Sequence, residues 1–380
     1  MLTPTHQALL ALCRVRPSPH EARALPRLIA TAGVDWTELT RLALRGGVAG
    51  LVQRNLVGLQ VPREVQLQLT RTSLLVQAQN QLLLEHGRRL CAAAAAEGLT
   101  LIPLKGTALN LLGVYDDPGL RAQCDLDLLV PRHQVRPMDR LLQRMGFEED
   151  AVSHAYELRH SHHLRYRLGA PCGAKGARRD PTRVLLELHW TGLLTKFARR
   201  NEERQILARA RKHELRGAVL CMLAPEDLTL LVLLHFCVHR YRAQLKWVVD
   251  VAELARFFGA ELSWDTIWDR ARRIGALRAL TLGTEFARTL LDAPIPFRPR
   301  STPRLTPRAT PLLGALRRLN PVEDLVTSQP QPAWAWRALI DLLEYDSPLY
   351  GLLFLLGKGT ELLERYRGIR LPVLRRHPLR

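Results

Sequence analysis

Lysine is scarce in this 380-residue sequence: only six of its 55 basic residues are lysine, so the net charge of +19 is carried by arginine. Such an excess follows a compositional bias of the source genome as readily as it follows a phosphate-rich partner. A basic surface attracts nucleotides or RNA in either case. Cysteine is sparse and unpatterned. The six stand at 13, 91, 124, 172, 221 and 237, with no CxxC pair and no regular spacing, and Cys221 and Cys237 sit in apolar runs. That usage fits a reduced, cytoplasmic chain rather than a disulfide framework. Long apolar runs are missing too: no window reaches the roughly 18 uninterrupted apolar residues of a membrane span. The richest, Leu228 to Val238, is too short and contains His235. The opening MLTPTHQALLALC has no basic residue ahead of its apolar stretch and is a poor match to a secretory leader. Internal repeats and heptad arrays are also absent. At 47% hydrophobic and 24% charged, the composition excludes wholesale disorder and allows two or three domains.

Three sections follow from the pattern. Residues 1–95 read as helical throughout: Ala8 to Cys13, Trp36 to Leu44 and Leu67 to Ala95 mix apolar and polar positions at helical spacing, and Gly98 is the expected cap. Residues 96–200 change character. Leu99 to Leu104 suits a buried strand, Gly106 to Leu112 a helix, and Asp117-Pro118-Gly119 a turn. Asp125 to Val130 reads as a second strand ending at Pro131. Val135, Met138, Leu141, Leu142 and Met145 then mark one helical face stopped by Gly146. A short strand is expected from Phe147, a mobile polar loop from His154 to Arg179, and a strand from Val184 to Trp190. Residues 201–380 return to helix. Pro225-Glu226-Asp227 opens one helix, its acids suiting the helix dipole, and Trp247 to Phe258 forms another. A Pro/Arg-rich linker over 292–311 precedes further helices at Leu312 to Leu319 and Trp334 to Tyr366.

Three short pieces carry chemistry. Asp125 and Asp127 lie two apart on one strand, so both carboxylates project from the same face. Two such carboxylates repel unless a cation stands between them, and hard divalent ions that take oxygen ligands suit that geometry. By itself an Asp-x-Asp is a common strand-end feature. Lys105-Gly106-Thr107 stands where a strand turns into a helix, a junction at which glycine lets backbone N–H groups approach a phosphate and a hydroxyl can assist. Glu187 and His189 share a face of the strand from Val184, and a strand carboxylate there could complete a two-metal cluster or accept a proton.

Arg121 is placed to reach a triphosphate or simply to sit at the surface, and Lys105 to do the same or to snorkel. His160, His162 and His163 match no familiar metal spacing. His235 and His239 are four apart on a helix that lacks the glutamate of a zinc helix, and Asp250 is suited to capping or to pairing with an arginine.

The string LIPLKGTALNLLGVYDDPGLRAQCDLDLLV, followed by ELHW, resembles the core of the nucleotidyltransferase superfamily that includes DNA polymerase beta. It is most similar to bacterial uncharacterised nucleotidyltransferase family proteins with an LKG…R…DxDLLV…ELHW pattern. The likeness covers roughly residues 75 to 255, taking in His162-His163 and the later LLHFCVHRYRAQLKWVVDVAEL with His235, His239, Trp247 and Asp250. It implies an α+β fold, a small mixed-sheet core flanked by helical regions. By resemblance Gly106 and Thr107 form the phosphate turn, with Lys105 and Arg121 beside the nucleotide. Asp125 and Asp127 hold metal, and Glu187 is the third carboxylate. Two departures stand out: Thr107 replaces the second small residue of the turn, and Glu187 is one methylene longer than Asp. The expected reaction is transfer of a nucleoside monophosphate from an NTP, with Mg²⁺ or Mn²⁺, to an acceptor hydroxyl on a small molecule, a protein or RNA. The alternatives are a non-catalytic nucleotide-binding scaffold and a basic nucleic-acid-binding protein.

Overall fold

The computed structural model describes residues 2–31, 33–149, 163–169, 183–191, 200–215, 218–238 and 244–296. Five helices come first: α1 (Pro4–Leu12), α2 (Pro19–Thr31), α3 (Trp36–Gly46), α4 (Ala49–Asn55) and α5 (Arg63–Ala96). Their ends follow local chemistry. Thr3 caps α1 through the His6 amide while the His6 ring accepts from the Thr3 amide, and Asp35 caps α3. At 34 residues α5 spans about 50 Å at the helical rise. It stops where Gly98 takes a left-handed conformation and Leu99 N–H turns back to the Ala94 carbonyl.

The middle section supplies β1 (Ile102–Pro103), α6 (Lys105–Leu112), β2 (Leu126–Leu129), α7 (Val135–Arg144), β3 (Glu148–Glu149), β4 (His163–Leu168) and β5 (Val184–His189). The strands form one sheet in the order β1-β2-β5-β4-β3. Only β2 and β5 run parallel, and the other pairs are antiparallel, so the sheet is mixed. Strand alternation gives the sheet two unlike faces. Leu126, Leu128, Leu164, Tyr166, Val184, Leu186 and Leu188 are buried on one. Helices α5 and α7 pack on that apolar face: Gly87 faces Leu126, and the Tyr166 hydroxyl donates to Asp139 at 2.9 Å. The opposite face carries Asp127, Glu187, His189, His163 and Arg165 in neighbouring register.

The last described section contains α8 (Arg200–Arg209), a hairpin of β6 (Arg211–Leu215) and β7 (Ala218–Met222), then α9 (Pro225–Val238), α10 (Leu245–Phe258), α11 (Trp264–Arg273) and α12 (Leu277–Leu291). Buried side chains from all three sections join one hydrophobic core. No helix among the described residues is long and apolar enough to cross a membrane. The architecture is α+β, as expected.

Four expectations change. The first strand shrinks to Ile102–Pro103. Inside the stretch read as a loop, residues 163–168 form β4, because His163, Arg165 and Arg167 alternate with Leu164, Tyr166 and Leu168 and the apolar set pairs onto β5. The β6–β7 hairpin stands in a section expected to be helical. The second strand shortens to Leu126–Leu129, which leaves Asp125 just ahead of it. Asp227 stands in the first turn of α9 as expected; it is buried and accepts from Arg209 at 2.7 and 2.9 Å and from Arg270 at 2.6 Å, tying α8, α9 and α11 together. The linker beyond residue 296 and the helices expected at 312–319 and 334–366 lie outside the described residues.

The N-terminal helices reach the sheet through the 3₁₀ turn Pro118–Leu120. Asn80 of α5, fully buried, donates to the Pro118 carbonyl at 2.6 Å and to the Arg121 carbonyl at 2.7 Å. Gly50 of α4 lies against the same turn: a Cβ there would collide with the Gly119 carbonyl oxygen and come within 2.8 Å of the Leu120 Cα. Those neighbours are backbone and cannot rotate away. Gly50→Ala is therefore expected to cost about 1–3 kcal/mol of stability by overpacking. Urea denaturation reads this, and an unchanged midpoint would show that the turn does not seat firmly on α4.

Candidate functional site

The parallel pairing of β2 with β5 sets Asp127 opposite Glu187 and Leu129 opposite His189. His189 stands two residues beyond Glu187 on the same face. Ligand-capable atoms of Asp127, Glu187 and His189 all lie within 4.8 Å of one another. His189 Nε2 is 2.9 Å from Asp127 Oδ1 and 3.4 Å from Glu187 Oε2. On β4, His163 Nε2 lies 3.6 Å from the other Glu187 oxygen. Asp125 precedes β2 and stands outside this tight group, yet close enough for its charge to be felt there.

The expected phosphate turn is built differently from the reading of its side chains. Lys105 opens α6 with a φ of 46°, a left-handed conformation uncommon for a residue with a Cβ. Its ammonium does not point at an open turn: Nζ lies 2.6 Å from Asp127 Oδ1 and 3.9 Å from Glu187 Oε2. The Thr107 side chain is fully buried. Its hydroxyl accepts from Gln123 Nε2 at 2.8 Å and from the Asp127 amide at 3.2 Å. Leu104 N–H donates to the Asp127 carbonyl at 2.9 Å, so the junction of β1 and α6 holds both sides of the Asp127 backbone. Gln123 also donates to the Asp125 carbonyl at 2.6 Å and accepts from Asn110 at 2.8 Å. What stays open at the turn is the start of α6, which no side chain caps and whose first amides lack intrahelical acceptors.

Arg121 has internal partners. Its Nε and Nη2 each donate to Asp250 of α10 at 2.7 Å, forming a buried bidentate pair that Tyr115 joins through its hydroxyl, also at 2.7 Å. Asp250 thus pairs with an arginine, one of the two roles expected for it. The guanidinium lies under Gly106, where a Cβ would come within 2.9 Å of its Cζ. That close approach is an immediate reason for glycine at 106. Lys246, also on α10, donates to the Ala122 carbonyl at 2.8 Å. One face of helix α10 therefore holds the segment leading into the two aspartates at two points, Arg121 and Ala122.

Charge is unevenly balanced in this cluster. Burial opposes ionisation of Asp127, but Lys105 and His189 more than offset it and hold the carboxyl well below the usual range. Burial likewise opposes the Glu187 charge, and the His189 hydrogen bond together with His163 keeps its pKa depressed. Asp125 fares otherwise. Burial, then the charges of Asp127 and Glu187, push its carboxyl up to about 6, and Lys105 and Lys246 only partly counter them. Burial, helped by Arg121, brings Lys246 down to about 8.

Of the expected site residues, the structure gathers Lys105, Asp127 and Glu187, keeps Asp125 within electrostatic reach, and gives Thr107 and Arg121 internal partners. His189, Gln123 and Asn110 were not anticipated as site residues. For His189 the signal was its spacing from Glu187; Gln123 and Asn110 carried none. His160, His162 and His239 lie outside the described residues, while the His235 ring packs edge-on against Trp247 with centroids 5.0 Å apart.

Among curated proteins no sequence matches this chain. Among solved structures it is similar to an antigenic nucleotidyltransferase-like protein from Paracoccidioides brasiliensis, at 16% identity and a TM-score of 0.33. That likeness spans 58% of this chain and 94% of the other, and at such a score it adds nothing to the geometry. The profile of a family described as uncharacterised nucleotidyltransferase matches residues 32–292, more than half the sequence and every site residue above. The chain belongs to that family of uncharacterised nucleotidyltransferases.

Proposed function

We propose that this cytoplasmic protein is a metal-dependent nucleotidyltransferase that moves a nucleoside monophosphate from an NTP to an acceptor hydroxyl. The observation that carries the reading is the charge deficit at Asp125. Three carboxylates converge with one ammonium among them, and the carboxylate left without a close cation is pushed up to about 6. Oxygen donors in that arrangement fit Mg²⁺ or Mn²⁺, held by Asp125, Asp127 and Glu187. When bound, the divalent cation supplies charge neutralisation to the phosphates and to the attacking oxygen.

The chain's own groups do the rest. The uncapped start of α6 at Lys105, Gly106 and Thr107 offers backbone N–H groups and a favourable dipole to the phosphates. Lys105 is the cation nearest that turn. Gln123, through the Asp125 carbonyl and the Thr107 hydroxyl, holds the two aspartates in register. Glu187 accepts the proton of the acceptor hydroxyl, whose oxygen bonds the α-phosphorus as the bond to pyrophosphate breaks. The flanking helical regions select the acceptor, which is a small molecule, a protein side chain or an RNA end. The internal pairing of Thr107 and Arg121 favours one second reading, a module that binds nucleotide without transferring it.

Calorimetric titration of ATP, GTP, CTP and UTP with Mg²⁺, on wild type and on Asp125→Ala/Asp127→Ala, tests the site. Saturable binding that needs the metal and disappears in the double variant is expected. Binding that survives the substitutions, or none at all, sinks the assignment; binding without pyrophosphate release in an acceptor screen selects the second reading.

Stability offers an independent check on the metal-free protein. Because folding raises the Asp125 pKa from 3.8 to about 6, ionisation of that carboxyl opposes folding, and its contribution lowers stability as pH climbs through that interval. In EDTA at pH 7.5, Asp125→Asn is expected to be more stable than wild type by on the order of 1–2 kcal/mol, with a flatter profile between pH 4 and 6. A destabilised variant would mean that Asp125 already has an internal cation.

A further inference from the structure

We infer that His189 is a direct nitrogen ligand of the divalent cation, so that the metal centre has a mixed nitrogen and oxygen donor set and prefers Mn²⁺ to Mg²⁺. The inference rests on the proposed metal site and adds a donor to it. Asp127 Oδ1 and Glu187 Oε2 lie 2.9 and 3.4 Å from His189 Nε2. Neighbouring donors around an octahedral ion with bonds of about 2.1–2.2 Å stand about 3.1 Å apart, so the histidine nitrogen already has the spacing of a neighbouring donor to both oxygens.

The strand pairing fixes that spacing. Register places Glu187 opposite Asp127, and His189 follows Glu187 by two on the same face. The His189 side chain is 3% exposed, and its backbone carbonyl is engaged by Val130 N–H at 2.9 Å, so ring and strand cannot drift apart. Ligand-capable atoms of these three residues form a tight group that Asp125 does not join. The arrangement therefore points to the histidine as a neighbour of the same ion, with Asp125 completing the site from the strand's entrance.

One group competes for this position. Lys105 Nζ lies on the same Asp127 oxygen that faces His189. Its ammonium supplies the positive charge there in the metal-free protein and gives way when a cation arrives. A nitrogen donor changes selectivity, because Mg²⁺ favours an all-oxygen shell whereas imidazole is a good ligand for first-row transition ions.

The test is pulsed electron paramagnetic resonance on the full chain loaded with Mn²⁺, with natural-abundance histidine and with ¹⁵N-histidine. A modulation from directly coordinated nitrogen that changes with the isotope and vanishes in His189→Asn, but persists in His163→Asn, is expected. Calorimetry should show His189→Asn weakening Mn²⁺ at least about tenfold while Mg²⁺ changes less. The isotope comparison needs no substitution, so a variant that fails to fold does not blunt it. Mn²⁺ bound with no coordinated nitrogen, or with nitrogen that follows His163, overturns the inference and leaves the all-oxygen site standing. If Mn²⁺ does not bind at all, the inference and the proposed metal site fall together.

Discussion

Asp127 holds a charged carboxylate in a buried position, with Lys105 on one side of it and His189 on the other. Much of the surrounding architecture serves that arrangement. Parallel pairing of β2 and β5 supplies His189 and Glu187 in register, and the antiparallel β1 delivers the chain to Lys105 beside the same carboxylate. The left-handed backbone at Lys105 is the local cost, since it turns the chain from strand into helix with the ammonium over Asp127. Both backbone groups of Asp127 are also taken, the amide by Thr107 and the carbonyl by Leu104. A carboxylate fixed this firmly can neither swing to solvent nor relax its charge.

The second layer of support comes from outside the sheet. Asn80 of α5 seats the turn at Pro118–Leu120, and Asp250 and Lys246 of α10 hold the chain at Arg121 and Ala122. Breaking the Arg121–Asp250 pair would strand a buried charge at about 3–5 kcal/mol, whereas replacing the whole pair with apolar groups could be neutral. Its value lies in orientation. A guanidinium under Gly106 fixes how close the start of α6 sits to the loop that carries the aspartates, which packing between leucines would leave looser. The helical regions are thus part of the site's geometry through specific polar ties.

How much of this was legible in the sequence follows from the range of each interaction. The strand faces of Asp127 and Glu187 were readable because strand alternation is local, whereas Asp125, expected on the same strand, stands just before it. The helix end at Gly98 was local too. The strand at 163–168 was also written in alternation, but it lay within a polar, arginine-rich stretch whose composition reads as loop. Nothing near Arg121 pointed to Asp250, 129 residues away, so Arg121 was read as reaching a triphosphate or sitting at the surface, and its buried pair went unseen. The partners of Thr107 were equally out of local reach. A hydroxyl after a glycine turn reads as a phosphate ligand until the fold brings Gln123 and the Asp127 amide onto it.

The charge deficit also bears on whether a scaffold or a catalyst better explains the chain. A docking module gains nothing from carboxylates converging at the two interior strands β2 and β5. An uncharged residue at 125 would spare it the burial and repulsion that push Asp125 up to about 6. Arginine is abundant everywhere in the sequence, so a fourth cation to neutralise the cluster permanently was readily available. Instead Arg121, which lies under the turn, is held by Asp250, and among the described residues Lys105 and the more distant Lys246 only partly counter the Asp125 charge. A cluster that is under-neutralised within a chain of net charge +19 supports the proposed uptake of a cation from solution. The energy withheld from folding is then recovered on binding, where it favours the loaded state.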